Sequence, residues 1–100
     1  MITPTIGRIV WYYPSAVMKR QMVVLSAQPL AAQVVYVHSD YMVNLVVFDH
    51  GGSKWDMQTV HLAQDGGPTR EEGASYCEWM PYQKGQAAKY EALEKEKANA

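Results

Sequence analysis

The chain has 100 residues and a formal charge of −1 at neutral pH, which leaves room for one hydrophobic core and provides no global positive field to hold a polyanion. Apolar residues make up 48% and charged residues 19%, the composition of a globular rather than a disordered chain. Cys77 is the single cysteine, so no intramolecular disulfide can form and a reducing compartment fits; with no run near the roughly 20 apolar residues of a membrane span and no signal-peptide pattern in MITPTIGRIV, a soluble intracellular protein with no membrane partner is expected.

In chain order, Ile6 to Tyr13 (IGRIVWYY) reads as a first strand, stopped by Pro14 and Ser15. Gly7 inside that run signals a bulge or a close backbone approach. Ala16 to Gln28 fits either a short helix or a strand; the β-branched pair Val23 and Val24 favours strand at its end, and Pro29 closes it. Ala32 to Asp49 (AQVVYVHSDYMVNLVVFD) is a β-hairpin with its polar break at Ser39 and Asp40. Its return strand sets Val43, Leu45 and Val47 on one face and Asn44, Val46 and Phe48 on the other. Strands apolar on both faces are buried twice or lie at a subunit contact, so a homo-oligomer is expected. His50-Gly51-Gly52-Ser53 is a turn, Lys54 to Gln64 alternates as a fourth strand, and Asp65 to Ser75 (DGGPTREEGAS) is the longest polar loop. Tyr76 to Met80 supplies a last short strand ended by Pro81. The tail from Gln83 is rich in Ala, Glu and Lys, all good helix formers, and Glu91 and Lys95 sit at the spacing of a helical charge pair.

The pattern predicts a mainly β fold: a small, five-stranded, mostly antiparallel SH3-like barrel over residues 1–82, followed by a C-terminal helical tail over 83–100. The expected core holds Ile9, Val34, Val46, Phe48 and Val60.

Three segments carry a family resemblance: ITPTIGRIVWY, AAQVVYVHSDYMVNLVVFD and YCEWMPYQKGQA. An I-G-R-I-V-x-Y start, an A-x-V-x-x-V hairpin, a V-N-L-x-V-F strand and a tryptophan-bearing end resemble a family of short proteins encoded by tailed phages and prophages. The likeness covers most of the chain and is weakest over 16–28 and the tail. It implies a phage protein working in the host bacterial cytoplasm, with the helical tail as an elaboration. The hairpin also looks like the core of SH3-like barrels of the Tudor and KOW type, an analogy of fold that does not transfer function.

The chemistry-bearing residues point to binding rather than catalysis. His38, His50 and His61 with Asp40, Asp49 and Cys77 lack the C-x-x-C or H-x-x-x-H spacing of a metal site. No nucleophile elbow or cofactor fingerprint occurs, and Glu71-Glu72 lies in a polar loop as solvated charge. No catalytic residue, metal or cofactor is therefore expected. Ten Tyr and Trp residues combine flat apolar faces with polar tips; burial is ordinary for such rings, so most should plug the barrel, with two or three lining a functional surface. The candidate ligand-binding set is Trp11, Tyr13, Trp79 and Tyr82 for stacking, with Arg8 and Lys84 for negative charge. Arg8 reads first as an outward-facing strand residue with its stem packed on the sheet, and only second as an anion partner. The expected function is that of a non-enzymatic phage accessory protein, which blunts host defence by binding a host factor or a small nucleotide-like signal. The alternative is a virion structural or assembly adaptor, with the same aromatics as interface anchors; a nucleic-acid-binding module is opposed by the balanced charge.

Overall fold

A computed structural model describes residues 1–99. Five strands form a closed barrel in the order β1-β2-β3-β4-β5: β1 (Ile9–Tyr13), β2 (Leu30–Ser39), β3 (Met42–Phe48), β4 (Lys54–Ala63) and β5 (Tyr76–Glu78). Neighbours are antiparallel except β4 and β5, which run parallel. A short helix α1 (Ala16–Gln21) follows β1, and α2 (Pro81–Asn99) follows β5. The fold is the small SH3-like barrel with a C-terminal helix that the alternating β-branched runs predict; Ala100, the last residue of the expected tail, lies outside the described residues. The molecule measures 54 × 24 × 22 Å. A helix of 19 residues is about 28 Å long, and its projection from the barrel accounts for that elongation.

The ambiguous segment after Pro14 divides. Ser15 caps α1 by accepting a hydrogen bond from the Met18 amide at 3.3 Å, while Lys19 and Arg20 complement the dipole of the last turn. α1 brings Met18 and Met22 onto the core. Val23 and Val24 do not continue as a strand, because their backbone is taken up by the β3–β4 turn. The Val23 amide donates to Asp49 Oδ2 at 3.1 Å, and the Val23 carbonyl accepts from the His50 amide at 2.9 Å. His50 ties the same segment further along: its Nδ1 accepts from the Leu25 amide at 2.9 Å, so the proton sits on Nε2, 3.3 Å from the Pro29 carbonyl.

The core is Val10, Tyr12, Met22, Leu30, Ala32, Val34, Val43, Leu45, Val47, Val60, Leu62, Cys77 and Trp79. Val34 and Val60 are in it as expected, but Ile9, Val46 and Phe48 are not. Ile9 and Phe48 are each 40% exposed, and Val46 is half-buried on the outer face. Both faces of β3 are apolar, and the face that also carries Asn44 turned outward, since a buried amide must satisfy its hydrogen bonds and Val43, Leu45 and Val47 need none. The first strand is also shorter than expected: Gly7, at φ +97°, makes a turn rather than a bulge, and Arg8 precedes β1. Burial drives the Cys77 thiol up to about 12, with a smaller push from Glu78, so it packs as a small apolar side chain.

Three irregularities curl the sheet. The β2–β3 register shifts between Val34 and Tyr36 and again between Val37 and Ser39, and the β3–β4 register shifts between Val43 and Leu45. The first and the last change the inward phase: Ala32 and Val34 give way to Val37, and Trp55 and Met57 to Val60 and Leu62. Thr59 in the β3–β4 bulge has φ +50°, a left-handed conformation that strains a β-branched residue. Asn44, on the outer face, ties the second irregularity to the third. Its Oδ1 accepts from the Thr59 amide and lies 2.8 Å from His38 Nε2, which must therefore donate. Asn44→Ala removes two half-exposed hydrogen bonds and is expected to destabilise the fold by about 1–2 kcal/mol, measured as a fall in the midpoint of urea unfolding at constant m-value.

Candidate ligand-binding seam

The sequence-predicted residues gather where β1, β5 and the start of α2 meet, but they do not form one surface. In the β1–β5 pairing Trp11 lies opposite Glu78, Tyr12 opposite Cys77 and Tyr13 opposite Tyr76. With Tyr12 and Cys77 pointing into the core, alternation turns Trp11, Tyr13, Tyr76 and Glu78 outward. Tyr13 and Tyr76 stack with ring centroids 4.8 Å apart at 14°. The Tyr13 hydroxyl donates to Glu78 Oε1 at 3.0 Å. Burial first, and then this contact with the Glu78 carboxylate, pushes that hydroxyl up to about 12.

Lys84, one turn into α2, pairs with the other Glu78 oxygen at 3.1 Å. Its ammonium is thus held by a carboxylate of its own chain rather than presented to an anion. Trp79 corrects the sequence reading more sharply. It is 1% exposed, so its ring belongs to the core and offers no face to a ligand. Arg8 lies over that ring, with Cζ 5.6 Å from the centroid, in the cation–π geometry that favours arginine. Gln83 locks the seam: its Oε1 accepts from the Met80 amide at 2.8 Å and its Nε2 donates to the Ile9 carbonyl at 2.9 Å.

The N-terminal arm completes the site. The Gln64 amide acts like a backbone partner for Ile2, accepting from its N–H at 2.8 Å and donating to its carbonyl at 3.0 Å and to that of Asp40 at 2.7 Å. This fixes the arm beside α2 and leaves two adjoining grooves between the arm and the helix. One, of about 390 Å³, is lined by Gln64, Glu78, Trp79 and Lys84 among others. The second, of about 510 Å³, is lined by Arg8, Tyr82, Gln83, Gln86 and Tyr90 with the arm. Tyr82 and Tyr90 are 74% and 69% exposed and, eight residues apart, share one side of α2.

Of the six predicted residues, then, Arg8 and Tyr82 share a groove, Trp79 and Lys84 line the other, and Trp11 and Tyr13 stand on the barrel wall beside Glu78. Sequence reasoning left Tyr76, Glu78, Gln83 and Tyr90 out of the site. The alternation Tyr76-Cys77-Glu78 already puts the first two on one face, and that signal was there to read. Among the described residues no three His, Cys, Asp or Glu side chains are gathered to hold a metal ion, and no helix is long and apolar enough to cross a membrane. No protein-family model, no curated protein and no solved structure matches the chain.

Proposed function

We propose that this protein is a non-enzymatic binding protein of phage origin that takes a flat, anionic, nucleotide-like ligand in the groove between the N-terminal arm and α2. The observation that carries this reading is the pairing of one arginine with two exposed tyrosines in a groove of about 510 Å³, a size suited to a small organic ligand. Arg8 would meet the phosphate, and Tyr82 or Tyr90 would stack the base. The phage setting rests on the motif resemblance, and a role in blunting host defence follows from sequestering a host signal. Calorimetry against cyclic dinucleotides and mononucleotides tests it. Saturable heat is expected with at least one of them, lost about tenfold or more in Tyr82→Ala, as stacking is worth about 1–3 kcal/mol per base. Tyr82 is exposed enough for that change to leave the fold intact. No heat with any nucleotide would reject the ligand.

A second reading, an adaptor or self-associating structural protein, is favoured by the outer face of β1, β2 and β3. Trp11, Ala31 and Phe48 stand in one cross-strand row and Ile9, Gln33 and Val46 in the next, which leaves a largely apolar patch on the surface. Sedimentation above the monomer mass, or recovery of the protein from purified virions, would favour that class.

A further inference from the structure

The Tyr76 ring is covered by a residue of its own chain. The guanidinium carbon of Arg70 lies 3.6 Å from the ring centroid. Because Tyr13 is stacked nearly parallel on the ring at 4.8 Å, the guanidinium must occupy the opposite face; on the same face it would collide with Tyr13. Arg70 comes from the polar loop between β4 and β5, and it makes no ion pair among the described residues. The loop is anchored at its two ends. Gly67 packs so closely on the Tyr41 ring that a Cβ there would come within 2.5 Å of it, and Ser75 Oγ accepts from the Ser15 amide at 2.8 Å. Between these anchors Arg70 is exposed, and Gly73 turns the chain at φ +80°.

A flat, weakly hydrated guanidinium is the cation best suited to lie on an aromatic face. With no carboxylate of the described residues holding Arg70, only the ring fixes its head, and an exposed cation–π contact of this kind is weak. The surroundings favour a cationic visitor once Arg70 leaves. Asp65, Glu71 and Glu72 against Arg70 alone give the loop from Asp65 to Ser75 a net charge of −2 (one basic minus three acidic), and without Arg70 it carries three unopposed acids.

We propose that the Tyr76 face, backed by Tyr13 and covered by the net-acidic loop through Arg70, is a recognition site for an arginine side chain of a partner polypeptide, and that Arg70 fills it in cis when no partner is present. This site lies on the barrel wall and is independent of the groove along α2. Arg70 is then a built-in competitor, which the partner must displace.

The test is a titration of the full chain, wild type and Arg70→Ala, with acetyl-Gly-Arg-Gly-amide and acetyl-Gly-Lys-Gly-amide, following the Tyr76 and Tyr13 ring resonances by NMR. Arg70 is exposed, so its replacement leaves the fold in place. The arginine peptide is expected to shift both rings saturably in Arg70→Ala, about two- to fivefold tighter than in wild type, the factor an exposed cation–π competitor commands. The lysine peptide should bind more weakly than the arginine peptide, because a compact ammonium does not lie flat on the ring. Adding Tyr76→Leu to Arg70→Ala should abolish the Tyr13 shift; if that double variant does not fold, the comparison of wild type with Arg70→Ala still decides. Equal affinity in wild type and Arg70→Ala, no saturable shift, or equal binding of the two peptides would each overturn the assignment.

Discussion

Trp79→Ala is expected to cost about 3–5 kcal/mol, the range for removing a large aromatic from a packed core, and so to leave a domain of this size largely unfolded at 37 °C. The ring is 1% exposed, packs with the barrel core and carries Arg8 on its face. No other side chain of the core is larger. Trp79→Phe should be far milder, since it keeps most of the apolar surface and removes an indole N–H that has no hydrogen-bond partner among the described residues. Thermal unfolding of the two variants checks this: a Trp79→Ala protein melting within a few degrees of wild type would show that the ring is not part of the core. It follows that a change in ligand binding on Trp79→Ala reports on folding rather than on stacking, and that Tyr82 is the informative position.

The second large effect is at Asp49, the buried acid that organises the β3–β4 turn. Its carboxylate accepts four hydrogen bonds, from Trp55 Nε1 at 2.9 Å and from the amides of Val23 at 3.1 Å, Gly51 at 2.9 Å and Ser53 at 3.0 Å. These donors, the Trp55 indole first, hold its carboxyl below the ordinary value of 3.8. Asp49→Ala leaves all four donors without their acceptor and frees the segment after α1, so the melting temperature should fall by clearly more than in Asn44→Ala. The sign of the pH dependence follows from the depressed pKa. The carboxylate's contribution is complete above the unfolded value and is lost as pH falls from about 3.8 through the lower folded value. Wild-type stability should therefore drop more steeply below pH 4 than that of Asp49→Asn. Parallel acid limbs for the two proteins would remove Asp49 from the account.

Strand number was legible because β-branched and aromatic runs separated by Gly, Pro and Asp carry a period-two signal that needs no tertiary information. Which face pointed inward was less so. Ile9, Val46 and Phe48 are as apolar as Val10, Leu45 and Val47, and only the polar company of Asn44 and Gln33 on the outer rows separates the two sets. The bulges were not readable at all: nothing local marks Thr59, a poor residue for positive φ, as the place where β4 changes phase. The candidate site shows the same division. Clustering of Trp79, Tyr82 and Lys84 followed from the short span between β5 and α2, while Arg8 reaches them only through the pairing of β1 with β5; their roles did not follow, since Trp79 became core and Lys84 paired with Glu78. The contact of Arg70 with Tyr76 joins a loop to a strand with no periodicity to announce it.

The barrel is closed by its shortest strand. β5 has three residues, yet it pairs with β1 on one side and with β4 on the other, and the β4 contact is parallel, the weaker of the two ladder types. Release of those three residues would turn the closed barrel into an open four-stranded sheet, with β1 and β4 as bare edges and the apolar face of Val10, Tyr12 and Leu62 uncovered. Edges of that kind template pairing with other chains, so the opening that begins unfolding would also begin aggregation. α2 works against that opening, because Gln83 fastens it to β1 and Lys84 to Glu78 of β5. The first turn of the helix is a latch on the barrel's weakest join.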